Sequence, residues 1–141
     1  MVDQSRIAAI FNDFMSLYLG RSGSGIEQLC KKHDYHRMLM GLLSNLDEAA
    51  KVPVPQVMKE CYEVYKRYRN LEMKKADWEA IVEETRKLSE KWKSNKWCNR
   101  ILVELIGLLE EDEAERRRIA HEVEREMKEM EAAMQRQAEA A

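Results

Sequence analysis

The spacing of the apolar side chains is the feature of this sequence that most restricts its fold. Near the start of the chain, Ile7, Ile10 and Phe14 recur at steps of three and four, so that they fall on one side of a helix. Six segments in all, this one included, have such spacing, and no segment alternates apolar and polar residues between hairpin turns as strands do. The sequence therefore predicts an all-α bundle of five or six helices.

Glycine, proline and a shift of helical phase mark where we expect these helices to end. A loop is predicted over 20–25, which is rich in glycine and serine, and Ser24 and Glu27 have the spacing of a capping box for the next helix. The apolar stripe changes direction at Asp34, and the prolines within 53–55 cannot donate a helical hydrogen bond. We expect six helices. The first begins after Asp3 or Ser5, the second covers 25–33 and the third covers 35–51. The fourth runs from Pro55 to about 74, the fifth from near Asp77 to a break at Ser94 and Asn95, and the sixth begins after Asn95.

The segment after Asn95 divides into an apolar half and a highly charged half. Residues 97–109 are apolar nearly all round, which is typical of a central, buried helix. Residues 110–141 hold 11 acidic and 6 basic groups, and neither glycine nor proline occurs after Gly107, so we expect the helix to continue. We assign 1–109 to a helical bundle domain and 110–141 to a charged, acidic C-terminal helical extension.

The extension carries one apolar stripe, whose members follow one another at steps of 4, 4, 3 and 4. They are Ile119, Val123, Met127, Met130 and Met134. A helix from 96 to 141 would be about 69 Å long, whereas a bundle of about 110 residues has a radius of gyration of about 13 Å. The extension therefore projects or folds back. A projecting stripe predicts a coiled coil or another contact with a partner protein, or with a second copy in a homodimer.

The charge balance and the cysteine count restrict where such a chain works. The 141 residues include 24 basic and 26 acidic groups, and this near balance gives no overall attraction to nucleic acid or membrane. Three cysteines cannot all pair, and the sequence has neither a secretion signal nor an apolar run of about 18 residues. We predict a soluble protein of the cytoplasm that does not enter a membrane.

One cluster has the side chains of a metal site. Cys30, His33 and His36 lie close together in the sequence, and thiolate with neutral imidazole suits Zn²⁺. On a straight helix His36 lies about 120° from Cys30, and no second group of cysteine and histidine completes a tetrahedron. We therefore predict no bound metal and no cofactor. A bend at Asp34 would bring the three together, which leaves a small metal-dependent enzyme as a third hypothesis.

A basic segment is the candidate for a nucleic-acid contact. Between Tyr62 and Lys75 the sequence interleaves tyrosines with cations, so that rings would stack on bases while cations meet phosphates. The candidate contacts are Lys66, Arg67, Arg69, Lys74 and Lys75. An ordinary solvated helix face is the simpler explanation, because Glu63 interrupts the run.

The motifs that would indicate an enzyme are incomplete. The 20–25 loop has the glycine spacing of a phosphate-binding loop but lacks the lysine that must follow it. His121 and Glu122 begin the zinc motif HExxH, but Arg125 replaces its second histidine. We predict a protein without catalytic residues.

The run ADWEAIVEE over 76–84, together with 65–73 before it, resembles small all-helical proteins of unknown function that mobile elements of Firmicutes carry. The resemblance implies an accessory role in a phage or conjugative element, including inhibition of a host defence protein. It transfers no site residue. With the apolar stripe, it favours a non-catalytic helical module that binds or regulates a protein, with nucleic-acid binding through the basic segment as the alternative.

Overall fold

Seven helices account for most of the chain that the computed structural model describes, which comprises residues 2–23 and 25–140. They are α1 (Gln4–Tyr18), α2 (Ile26–Lys32), α3 (Arg37–Leu43), α4 (Leu46–Ala49), α5 (Val54–Tyr68), α6 (Lys75–Lys91) and α7 (Lys96–Ala140). These described residues contain no strand. The predicted all-α class is confirmed, whereas the predicted count of five or six helices is wrong.

The additional helix arises because the one expected over 35–51 is interrupted at Asn45. This residue has left-handed backbone (φ 53°, ψ 39°), which asparagine tolerates better than most residues but which an α-helix does not continue through. The Ser44 hydroxyl donates a 2.6 Å hydrogen bond to the Gly41 carbonyl, so that an acceptor at the end of α3 is satisfied. The chain therefore turns and restarts as the single turn α4.

The ends of α2 and α6 share one geometry. Asp34 and Tyr35 both have left-handed backbone after α2, and Lys93 and Ser94 have it after α6. In each case the amide of the second residue donates a 2.8 Å hydrogen bond to the carbonyl five residues earlier. The predicted bend at Asp34 and the predicted break at 94–95 are confirmed.

Side chains cap two helices at the predicted places. Asp3 precedes α1 and Asn95 precedes α7, and each side chain accepts a hydrogen bond from the amide three residues later, at 3.2 Å and 3.0 Å. Ser24, from the expected capping box, lies outside the described residues. Gly25 precedes α2 and provides no side-chain hydrogen bond to its first turn.

The last turn of α5 is fixed from a distant part of the chain. α5 ends at Tyr68, earlier than expected, so the prediction of one basic helix over 62–75 is wrong. The guanidinium of Arg116 donates hydrogen bonds to the carbonyls of Arg69 and Leu71, which are therefore satisfied outside a helix. The chain just after α5 is thus held by a residue more than 40 positions away in the sequence.

The first half of α7 lies at the centre of the core, as predicted. Trp97, Ile101 and Leu105 are buried against the other helices, with α3 and α5 as the main neighbours of α7. The Trp97 indole N–H donates a 2.9 Å hydrogen bond to the Leu42 carbonyl, and its ring lies 6.1 Å from that of Phe14. The largest core side chain is therefore held by both a polar and an aromatic contact.

A buried carboxylate joins α3 to α7. Glu104 accepts a hydrogen bond from Arg37 at 2.6 Å, and the Arg100 guanidinium lies 3.1 Å from its other oxygen. Gly107 leaves the space that the Arg37 guanidinium occupies, since a Cβ at this position would overlap it. A larger residue at 107 would require the end of the Arg37 side chain to shift.

Candidate partner-binding surface on the last helix

α7 stays in contact with the bundle as far as Arg116, whose hydrogen bonds to the end of α5 are given above. One turn earlier, the buried Asp112 carboxylate accepts a 2.8 Å hydrogen bond from the Val2 amide. Every side chain over 117–140 is exposed, and at 1.5 Å per residue this part extends about 36 Å from the bundle. The helix crosses the expected boundary between 109 and 110 without interruption, and its end projects.

The apolar stripe of the extension continues the face by which α7 packs into the bundle. Eighteen residues make five complete turns, so two residues 18 positions apart point in the same direction. The buried counterparts of Ile119, Val123 and Met127 are Ile101, Leu105 and Leu109. The counterpart of Met130 is the buried Asp112, and that of Met134 is the half-buried Arg116. We call the five exposed members, Ile119, Val123, Met127, Met130 and Met134, the seam. The seam is thus the part of the core face that the bundle is too short to cover.

The seam is exposed along its whole length, from 42% at Ile119 to 66% at Met134. Burying one such side chain completely gains about 1.5–3 kcal/mol, so covering the exposed parts of all five gains about 4–8 kcal/mol. Association costs at least about 4 kcal/mol in lost freedom of motion. The seam alone therefore supports weak binding, and a stable complex needs further contacts beside it.

Ion pairs along the extension stabilise the helix itself. They join Arg117 to Glu113, Arg118 to Glu115 and Lys128 to Glu124. Pairs of this kind on a helix surface contribute about 0.2–0.5 kcal/mol each. They help to keep the projecting helix formed without covering the seam.

The candidate metal ligands are not gathered into a site. His33 is buried, and its Nε2 lies 2.7 Å from the carboxylate of Asp13 on α1. That carboxylate also lies 2.9 Å from Lys32, and this hydrogen bond is the main reason why the pKa of Asp13 is lowered. Cys30 is a buried free thiol. Within 2–23 and 25–140, no three histidine, cysteine or acidic side chains are close enough to hold an ion.

His36 has a structural position that the metal hypothesis did not anticipate. It precedes α3, and its Nδ1 accepts a 3.0 Å hydrogen bond from the Met38 amide, as an N-cap does. Burial is the main cause that lowers the pKa of His36, and the positive charge of Arg6 lowers it further. The imidazole therefore caps the helix in its neutral form.

The tyrosines of the basic segment face inward. Tyr65 is fully buried, the Tyr62 ring packs 5.1 Å from that of Phe11, and the Tyr68 hydroxyl donates to Glu84. These rings are therefore engaged within the bundle and are not free to stack on bases.

The cations of the same segment are divided among different parts of the surface. Arg67 forms a salt bridge with Glu84, and Arg69 donates a 3.2 Å hydrogen bond to the Tyr62 hydroxyl. The exposed candidates are Lys66 and Arg67 on α5 and Lys74 and Lys75 at the start of α6. The five candidates thus do not form one continuous basic helix face.

Comparison with known protein families, with curated proteins and with solved structures finds no match to this chain. Among the helices of the described residues, none is both long enough and apolar enough to cross a bilayer. Sequence, geometry and charge are therefore what point to a function, and the seam is the surface on which they agree.

Proposed function

We propose that this protein is a non-catalytic helical module that binds another protein through the seam of α7. The supporting observation is that the face which packs the core continues, in the same direction, over the exposed end of the same helix. Five apolar side chains in one line gain free energy only when something covers them. A protein that lays a helix along the seam would supply that cover.

We further propose that the protein works in the cytoplasm as an accessory or inhibitor protein of a bacterial mobile element. This setting comes from the resemblance over 76–84. The three free and buried cysteines are compatible with a reducing compartment.

Site-specific photocrosslinking in the cell that makes the protein tests the proposed function. A photoreactive amino acid at Met127, in the seam, should form a discrete crosslink to one protein, which mass spectrometry then identifies. The matched control carries the same group at Ala132, which is also exposed and lies about 180° from the centre of the seam. Crosslinks at both positions in equal yield, or at neither, would contradict a partner bound along the seam.

A further inference from the structure

Glutamates border the seam on both sides. In helical projection Glu122 and Glu126 lie on one side and Glu124 and Glu131 on the other, about 60–100° from the centre of the seam. Arg116 lies on the seam face, but its guanidinium is bound to the end of α5. The basic residues beyond it lie about 120–160° away, and they are Arg117, Arg118, Arg125, Lys128 and Arg136. A partner on the seam therefore meets acidic edges before it meets any cation of the projecting part.

Two of these edge glutamates have no cation beside them in the part of α7 that the structure describes. Glu122 lies 3.9 Å from Arg118 and Glu124 lies 3.5 Å from Lys128, so those two are partly neutralised. Glu126 and Glu131 form no salt bridge within the described residues. The edges thus keep a net negative charge after the contacts within α7 are counted.

A second copy of this chain fits the seam poorly for this reason. In an antiparallel pair each edge faces its own equivalent, and in a parallel pair it faces the other edge. Both edges carry glutamate, so carboxylates oppose each other in either orientation, and like charges beside a helix–helix seam oppose pairing.

We propose that the occupant of the seam is a basic amphipathic helix of another protein. This inference rests on the proposed function and adds the chemistry of the partner. Lysine or arginine beside its apolar stripe would pair with the edge glutamates and supply the contacts that the seam alone lacks. The methionines at the centre suit such a surface, because their flexible side chains adapt to the shape of the partner.

The spacing of the seam also predicts the shape of that partner. Ile119 and Met130 are 11 residues apart, as are Val123 and Met134, and an 11-residue repeat drifts by about 20° per repeat, which favours a gentle right-handed supercoil. A partner helix of about 20 residues with the same repeat would cover most of the seam in that arrangement.

Fluorescence anisotropy with three labelled 22-residue peptides and the full chain tests the inference. One peptide has leucines at the 11-residue spacing with lysines beside them, the second has glutamates in place of those lysines, and the third has the lysines but shuffled leucines. We expect the first to bind at least about tenfold more tightly than the other two, and to weaken as salt is raised.

Matched variants assign that binding to the seam and to its edges. Met127→Gln should weaken binding of the basic peptide about fivefold, and Ala132→Gln should leave that binding unchanged. Glu126→Lys should weaken binding about threefold, whereas Glu139→Lys, on the opposite face, should leave it unchanged.

Three results would refute the proposal that the partner is a basic helix. The first is equal binding of the lysine and glutamate peptides, and the second is binding of the shuffled peptide as tight as that of the first peptide. The third is a homodimer, detected by sedimentation equilibrium, that Met127→Gln weakens and Ala132→Gln does not. The homodimer would still support protein binding through the seam. If no peptide binds and no crosslink forms at position 127, both the basic partner and the proposed function are contradicted.

Discussion

Leu109 and Met127 lie five turns apart on the same face of α7, yet truncation to alanine should affect them very differently. Leu109 is 2% exposed, and deletion of a buried leucine side chain costs about 2–5 kcal/mol because apolar contacts are lost and a cavity remains. Met127 is 57% exposed, and alanine is at least as good a helix former, so Met127→Ala should change the free energy of unfolding by less than about 0.5 kcal/mol. The predicted difference between the two variants is at least about 1.5 kcal/mol.

Urea denaturation followed by tryptophan fluorescence measures this difference, because Trp97, on the first turn of α7, is fully buried in the core. With a slope of about 1–3 kcal/mol per molar urea, Leu109→Ala should lower the midpoint by about 0.7 M or more, and Met127→Ala should leave it unchanged. A similar loss in both variants would mean that the extension folds back onto the bundle. If neither variant loses stability, α7 does not lie at the centre of the core.

Three further predictions concern the interior of the bundle. Trp97→Ala should lower the free energy of unfolding, measured by urea titration, by about 3–5 kcal/mol. The substitution removes a buried ring and leaves the Leu42 carbonyl without its hydrogen-bond donor. A decrease of less than about 1 kcal/mol would refute this packing. The three cysteines should react with Ellman's reagent only after denaturation, and rapid reaction of the native protein would show that their sites are open. Because the pKa of His36 is lowered in the folded state, the unfolded chain binds that proton more readily, so Tm should fall as pH drops from about 7 through 6.5 towards the folded pKa. His36→Asn, which keeps a capping acceptor, should remove that part of the pH dependence, and an unchanged profile by circular dichroism would assign it to another group.

The sequence predicts the parts of this fold that depend on local patterns. The stripes of α1 and α7 follow from apolar spacing, and the caps at Asp3 and Asn95 follow from side chains that satisfy amides close to them in sequence. The direction of the seam is equally local, since it depends only on the pitch of one helix.

The parts that the sequence does not predict depend on distant contacts or on backbone conformation. α5 ends at Tyr68, and Arg116 binds the carbonyls of Arg69 and Leu71 that follow; the sequence near Tyr68 does not predict this distant contact. The partner of His33 is Asp13 from another helix, and the spacing of Cys30 and His33 in the sequence does not reveal it. The break at Asn45 lies within an otherwise regular stripe, where its left-handed backbone overrides the helical pattern.

The proposed surface exists only if the last part of α7 stands clear of the bundle, and small-angle X-ray scattering of the monomeric chain tests this directly. A compact protein of this length has a radius of gyration of about 14 Å, whereas a bundle with a projecting helix of about 36 Å should give about 18 Å. The maximum dimension should then be at least about 67 Å, the length of the 45 residues of α7. We expect the larger pair of values. A radius of gyration near 14 Å with a maximum dimension below about 50 Å would mean that the seam is already covered by the bundle, and would contradict a partner-binding surface on α7.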